Sequence, residues 1–406
     1  MIAGASAFDH SDDRMARRNA LVLAAAQAIG GASAPIVISM GGLVGYYLLG
    51  DDKSLATLPV TAFVLGVASG TIPAAMLMRR IGRRPGFQLG ALTTMVAGGL
   101  AGYAVIIGSF WLVCLGTAFA GLGNAFVQQY RFAAADTATP AFRPKAISWV
   151  LAGGVVTGVL GPQIVILTKD ALDPIPFAGA FLTQIVLGLA AILVLAFLRI
   201  PKLPPAPKGM GGRPLLEIAR QGRFIVAVVC AIGSYGLMSL VMTAAPLAMV
   251  ACDHTQTEAT LGIQWHVIAM FAPSFFTGAL IVRFGTLSVI AAGLVLLAAS
   301  AAIALSGITV WHFWIALVLL GIGWNFGFIG ATALLTETYE PAERSRVQAM
   351  NDFLVFGFQA LASLMSGAIL VTGGWEIINV AVFPVAGVCL LLLGWLKVSL
   401  DRGPAV

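Results

Sequence analysis

Residues 224 to 250 read FIVAVVCAIGSYGLMSLVMTAAPLAMV, 27 consecutive positions without a charged side chain. As an α-helix rising 1.5 Å per residue, the run is about 40 Å long and exceeds the roughly 30 Å hydrocarbon layer of a bilayer. The rest of the 406-residue chain repeats this character: 59% of residues are hydrophobic, 10% are charged, and the mean hydropathy is +0.95. Soluble proteins carry about 25% charged residues, so a water-exposed surface cannot be built from this sequence. The composition excludes a soluble enzyme, a disordered regulator and a secreted disulfide scaffold. It specifies an all-α polytopic membrane protein, because lipid tolerates only backbones that satisfy their own hydrogen bonds.

Twelve stretches are long and apolar enough to span, near 20–48, 56–78, 86–108, 111–131, 146–168, 177–198, 224–250, 259–282, 286–306, 312–335, 347–372 and 375–396. The longest gap between them, PKLPPAPKGMGGRPLLEIARQGR, is rich in Pro, Gly and basic residues and reads as a linker. The expected organisation is a tail over 1–19, a six-helix bundle over 20–199, the linker over 200–222, a second bundle over 223–397 and a tail over 398–406. Of the 23 Lys and Arg residues, only Lys53 and Lys169 fall in loops on one side. The positive-inside rule therefore places both termini and the linker in the cytoplasm. The net charge of +6 follows from this topology and calls for no nucleic-acid partner. Four cysteines without a Cys-x-x-Cys pair give neither a disulfide framework nor a zinc ribbon. The polar, basic first eighteen residues lack the apolar core and cleavage site of a removable signal peptide.

The two halves echo each other. AMLMRRIGRR (Ala75 to Arg84) follows the second span and GALIVRFG (Gly278 to Gly285) ends the eighth, placing Arg80/Gly82 and Arg283/Gly285 at equivalent turns. GLGNAF (Gly121 to Phe126) in the fourth span matches GIGWNF (Gly321 to Phe326) in the tenth, and each precedes a loop with proline and arginine, Pro140/Arg143 and Pro341/Arg344. Parallel repeats of this kind place a substrate site near the midplane between the halves. The chain resembles the major facilitator superfamily over essentially its whole length. Arg80, Gly82, Arg83 and Arg84 match that superfamily's signature loop, while Ala75 and Arg79 replace its first Gly and its Asp. Gating and structural roles are expected for Arg80, Gly82, Arg83, Arg84, Arg131, Arg283 and Gly285. For Arg131, beside Gln128 and Gln129, the alternatives are a gating or anion-binding role, or capping carbonyls and pairing with Asp136. Mid-span acidic residues are nearly absent. Glu337 and Asp352 read as lying near the cytoplasmic ends of their helices, and no proton-coupling carboxylate stands out.

The seventh span carries Met238 and Met242 at i, i+4, and the eighth carries His266 and Met270 at the same spacing, so each pair shares a helical face. Counted from outer ends at residues 250 and 259, the pairs form two rungs about 11 Å and 17 Å deep. Thioethers and imidazole suit a soft ion such as Cu(I). Met residues in apolar helices also simply pack, and a membrane histidine also serves as a proton carrier or a hydrogen-bonding core residue. Cys252, Asp253 and His254 lie at the mouth, Met249 lies just inside, and Cys230 lies two turns below Met238.

Met-x-x-x-Met followed by His-x-x-x-Met resembles the motif pair of the CcoA-like copper importers of the superfamily. That resemblance implies metal ligation by Met238, Met242, His266 and Met270, with Cys230 and Cys252 as the family's membrane cysteines. Cys114 and Cys389 read as lipid- or core-facing. It implies import of copper, as Cu(I), across the bacterial inner membrane by alternating access, for assembly of a cbb-type haem-copper oxidase. Copper is then the substrate, with cytoplasmic thiols or a chaperone receiving it, no organic cofactor, no enzymatic activity and a monomer in the lipid bilayer. Pro246 and Pro273 are expected to let their helices bend. The alternative is a proton-linked transporter of a small organic compound or drug. In that reading His266 is the proton-linked group, and Asn124, Gln128, Trp324, Asn325 and Gln359 line a polar or aromatic cavity. GVLGP (Gly158 to Pro162) weakly resembles the superfamily's drug-antiporter motif. A third reading is a copper-binding assembly factor that moves nothing.

Overall fold

The computed structural model describes residues 13–139, 142–200, 212–340 and 343–401, and among these every regular element is helical. Most of the expected linker, the chain ends, Pro140 and Pro341 lie outside the described residues. The first half contains α1 (Arg14–Gly30), α2 (Ser33–Leu48), α3 (Leu58–Ile81), α4 (Arg83–Ile106), α5 (Phe110–Val127), α6 (Tyr130–Asp136), α7 (Arg143–Thr168) and α8 (Ala178–Leu195). A short α9 (Leu215–Ala219) leads into the second half. That half contains α10 (Gly222–Ala251), α11 (Gln256–Phe271), α12 (Ser274–Phe284), α13 (Thr286–Leu305), α14 (Val310–Thr336), α15 (Arg344–Val380) and α16 (Val382–Asp401).

Among the described residues, ten continuous segments are long and apolar enough to cross a membrane, and α11 with α12, bent by 45°, makes one more. The last segment, Arg346–Asp401, has 56 residues. As a single helix it would be about 84 Å long, far beyond a bilayer. At Gly374 the backbone leaves the helix (φ 72°, ψ −176°), dividing the segment into two crossings. Twelve crossings result, as the sequence indicates.

Packing reproduces the sequence repeat. Gly82 (φ 99°) and Gly285 (φ 83°) form equivalent α3–α4 and α12–α13 turns, in a conformation that only glycine adopts cheaply. A Cβ on Gly121 would lie 2.0 Å from the Phe63 carbonyl, and one on Gly321 would lie 2.6 Å from the His266 carbonyl. The fourth crossing thus meets the second, and the tenth meets the eighth, at the same small residue. Close backbone approach at glycine is how membrane helices gain dispersion contacts without a hydrophobic driving force.

Each bend has a local cause. Pro273 ends α11, and Asn325 on α14 braces the break, its Nδ2 donating to the Met270 carbonyl and to Ser274 Oγ, both at 2.7 Å. Thr277 Oγ lies 2.6 Å from Asn325 Oδ1. Pro246, by contrast, leaves α10 continuous over its 30 residues. Between α10 and α11, Asp253 takes a positive φ of 64°, and Thr255 with Glu258 forms a reciprocal capping box that starts α11. At the linker end, Arg213 donates to Glu343 from its backbone N–H (2.7 Å), Nε (3.0 Å) and Nη2 (2.8 Å), tying the segment before α9 to the start of α15. These bonds hold the Glu343 carboxyl at about 2, below the ordinary carboxylate range.

Candidate functional site between the halves

The two halves meet along one side of the bundle. Thr57 at the start of α3 donates to the Ser363 carbonyl of α15 (3.2 Å), and Thr61 Oγ lies 3.1 Å from Ser363 Oγ. Gln163 on α7 donates to Gln264 on α11 at 2.8 Å. Ser363 also lies 3.4 Å from Thr243 on α10. All these residues sit toward the face that carries the loops with Lys53 and Lys169. Every hydrogen bond described between the two halves lies on that side.

Deeper, the second half builds an aromatic cage. Tyr235 on α10 presents ring edges to Trp324 (centroids 5.3 Å apart, 89°), Phe328 (5.0 Å, 90°) and Phe356 (5.8 Å, 75°). Trp324 and Phe328, one turn apart on α14, lie 5.4 Å apart and only 15° from parallel. Trp324 Nε1 is buried without a hydrogen-bond partner. Such a cage offers stacking and edge contacts to a flat aromatic ligand, together with a free donor.

One turn from Phe356 on α15 stands Asp352. The break of the fourth crossing at Gln128–Gln129 starts α6 and brings Arg131 toward the same place from the first half. The Arg131 guanidinium interacts electrostatically with Asp352 and with Tyr235, and Asp352 in turn with Tyr235. Among the described residues, Arg131 and Asp352 do not close to an ion pair, and Arg131 Nε is buried without a partner. The guanidinium stacks on Phe132 at 4.8 Å. The pairing of Arg131 with Asp136 is not what the structure forms: Arg83 holds Asp136 at 3.0 Å. Asp352, read from the sequence as lying near a helix end, stands eight residues along α15 and interacts electrostatically with Arg131 of the first half.

The Met residues nominated by sequence share one buried cluster with Trp324, against which Tyr235 and Phe328 pack. Met238, Met242 and Met270 belong to the apolar core of the second half, with Cys230. His266 is fully buried against α14, its Nδ1 2.8 Å from the Leu317 carbonyl. Because a carbonyl only accepts, Nδ1 carries the proton and Nε2 is the bare nitrogen, which has no described partner. Cys230 and Cys389 are both buried in that core, and the Cys389 thiol donates to the Val229 carbonyl at 3.8 Å. Cys114 is also buried, and Cys252 is half-buried at the end of α10. Burial, together with the neighbouring Asp253, pushes the Cys252 thiol up. Among the described residues, no group of three or more His, Cys, Asp or Glu could hold a metal ion. Of the alternative reading's residues, Trp324 lies in the cage, Asn325 is consumed by the α11–α12 brace, and Asn124 accepts only a 3.5 Å contact from Gln128. Arg283 stacks on Phe284 at 5.2 Å.

The sequence profile of the Major Facilitator Superfamily matches residues 19–263 and 227–405, so it covers both halves. The chain belongs to the major facilitator superfamily. Within it, the riboflavin transporter RfnT of Brucella anthropi is 54% identical over 385 residues, covering 94% of this chain and 96% of that protein. An uncharacterised superfamily transporter of Bacillus subtilis, YdeG, is 30% identical, covering 93% of this chain and 90% of its own. The solved structures of the nucleoside transporter NupG (TM-score 0.69) and the human organic anion transporter MFSD10 (TM-score 0.67) share the fold at 13% identity. NupG covers 92% of this chain and 98% of its own, and MFSD10 covers 93% and 99%. The protein is a multi-pass membrane transporter and not an enzyme.

The similarity to RfnT overturns the copper-import reading. That reading rested on the depth-matched Met238/Met242 and His266/Met270 pairs and on their resemblance to the CcoA-like motif pair, and thioethers fill apolar cores as readily as they bind soft ions. The organic-compound alternative is the one that the relative favours.

Proposed function

We propose that this chain moves riboflavin across the bacterial inner membrane by alternating access. The observation that carries the reading is the 54% identity to a riboflavin transporter along nearly the whole chain. The aromatic cage agrees with it. The isoalloxazine ring of riboflavin is a flat tricycle, and Tyr235, Trp324, Phe328 and Phe356 supply the stacking and edge contacts that hold such a ring. Riboflavin is neutral, and Arg131 and Asp352 bring opposite charges to the site, so the ligand crosses no single-sign field.

In this reading both termini and the linker are cytoplasmic, as the Lys/Arg distribution requires. The hydrogen-bonded seam at Thr57, Thr61, Gln163, Gln264 and Ser363 is then the closed periplasmic gate, and the site faces the cytoplasm. Gly82 and Gly285 form the turns about which the halves rock, with Arg83–Asp136 fastening the first. Arg80, Arg84 and Arg283 anchor the cytoplasmic ends of their helices. The protein acts as a monomer. Quenching of riboflavin fluorescence on titration with the purified protein tests the assignment. Saturable quenching that nucleosides do not reverse is expected, and its absence would remove the assignment.

A further inference from the structure

Resting on the riboflavin reading, we infer that Arg131 and Asp352 read the imide edge of the flavin ring, Arg131 donating to a ring carbonyl and Asp352 accepting the ring N3–H. The pyrimidine end of an isoalloxazine presents an acceptor, a donor and an acceptor in a row: C2=O, N3–H and C4=O. Its complement is a side chain that only donates beside one that only accepts, and arginine and an ionised aspartate are those two. The two residues come from opposite halves, on α6 and α15, and interact electrostatically, while Asp352 lies one turn from Phe356 of the cage; among the described residues they form no ion pair. Each has capacity to spare. Arg131 Nε is buried and unpartnered, and the described hydrogen bond to the Asp352 carboxylate comes from Asn351 at 3.2 Å. An ionised carboxylate accepts about four hydrogen bonds, so most of its capacity is open.

Tyr235 links this pair to the cage. Its ring touches Trp324, Phe328 and Phe356, and it interacts electrostatically with both charges. Asp352 and Phe356 are one turn apart on α15, so they share a face. A tricycle seated on the cage therefore brings one end to Arg131 and Asp352. A hydrogen-bonding site discriminates strongly against a ligand that leaves its buried polar groups unpaired, whereas an apolar cage discriminates weakly. The imide end of the ligand is thus where selectivity resides, and the cage serves any flat ring.

The test uses the full-length protein in nanodiscs and compares fluorescence quenching by riboflavin and by N3-methylriboflavin, which lacks the N3–H. Wild type is expected to bind the methylated ligand at least about tenfold more weakly, the range for a lost hydrogen bond to a charged group. Asp352→Ala is expected to lower riboflavin affinity to that level while leaving N3-methylriboflavin unchanged. Arg131→Met is expected to weaken both ligands, with Arg131→Lys restoring part of the loss. Equal binding of the two ligands by wild type would overturn the inference and leave the riboflavin reading standing, and it needs no variant to fold. A uniform loss for both ligands in Asp352→Ala would also overturn it, giving Asp352 a purely structural role. Absence of riboflavin binding by wild type would remove the functional reading and this inference together.

Discussion

Trp324 and Phe328 stand one turn apart on α14 with their rings 15° from parallel, and Tyr235 meets both edge-on at 5.3 and 5.0 Å. Three rings from two helices thus fix one another before any ligand arrives. A ligand ring added to this cage gains stacking without ordering the side chains, which keeps the entropic cost of binding low. Trp324→Ala removes the largest face. By analogy with base–aromatic stacking, it is expected to cost about 1–3 kcal/mol, or roughly 5- to 150-fold in riboflavin Kd, read by fluorescence titration. Trp324→Phe should recover most of that loss.

The Gln163–Gln264 bond joins the halves on the Lys53 side at 2.8 Å. Hydrogen bonds between membrane helices are worth about 0.6 kcal/mol on average, so Gln163→Ala should shift the gate equilibrium about threefold toward opening on that side. Distance distributions between spin labels placed across the Lys53 face would show it as a growing long-distance population. No change would mean that the seam does not hold the gate.

Asn325 satisfies a carbonyl freed by the break at Pro273 as well as the Ser274 hydroxyl. Replacing it by Ala leaves these buried groups unpaired, at a cost of about 1–3 kcal/mol. Thermal unfolding in detergent should show a clear drop for Asn325→Ala and a smaller one for Asn124→Ala, whose described contact is a 3.5 Å bond from Gln128.

The Arg213–Glu343 clamp makes stability depend on acidity. Its carboxyl is held at about 2 in the folded chain, below its ordinary 4.5. The clamp's contribution is therefore complete above pH 4.5 and is lost as pH falls from there toward about 2. Melting temperatures measured down that range should fall more steeply for wild type than for Glu343→Gln, and above pH 5 the variant should be uniformly less stable. Parallel curves would show that the clamp contributes nothing.

The crossings were legible because a bilayer imposes length and apolarity on each one, and the halves were legible because Gly82/Gly285 and Gly121/Gly321 mark equivalent backbone constraints. The pairing of Gly121 with Phe63 and of Gly321 with His266 is the three-dimensional form of that repeat. The proposed site was largely illegible. Tyr235, Trp324, Phe328 and Phe356 lie on three helices and are ordinary residues of apolar segments, so only helix packing shows that they converge. Trp324 alone was picked out, and its i, i+4 partner Phe328 was the available signal. Asp352 was discounted because counting from a helix end gives depth but not direction. The Met238/Met242 and His266/Met270 pairs pointed to copper import, the reading that the similarity to RfnT overturns, and their spacing is equally that of helix packing. His266 turns Nδ1 to the Leu317 carbonyl and leaves Nε2 buried without a described partner.

The most direct measurement is uptake of radiolabelled riboflavin into proteoliposomes containing the purified protein, with empty liposomes as the blank. The riboflavin account predicts saturable, time-dependent accumulation that excess unlabelled riboflavin abolishes and that Trp324→Ala diminishes. Accumulation no greater than in empty liposomes, by protein shown to be folded and inserted, would contradict it.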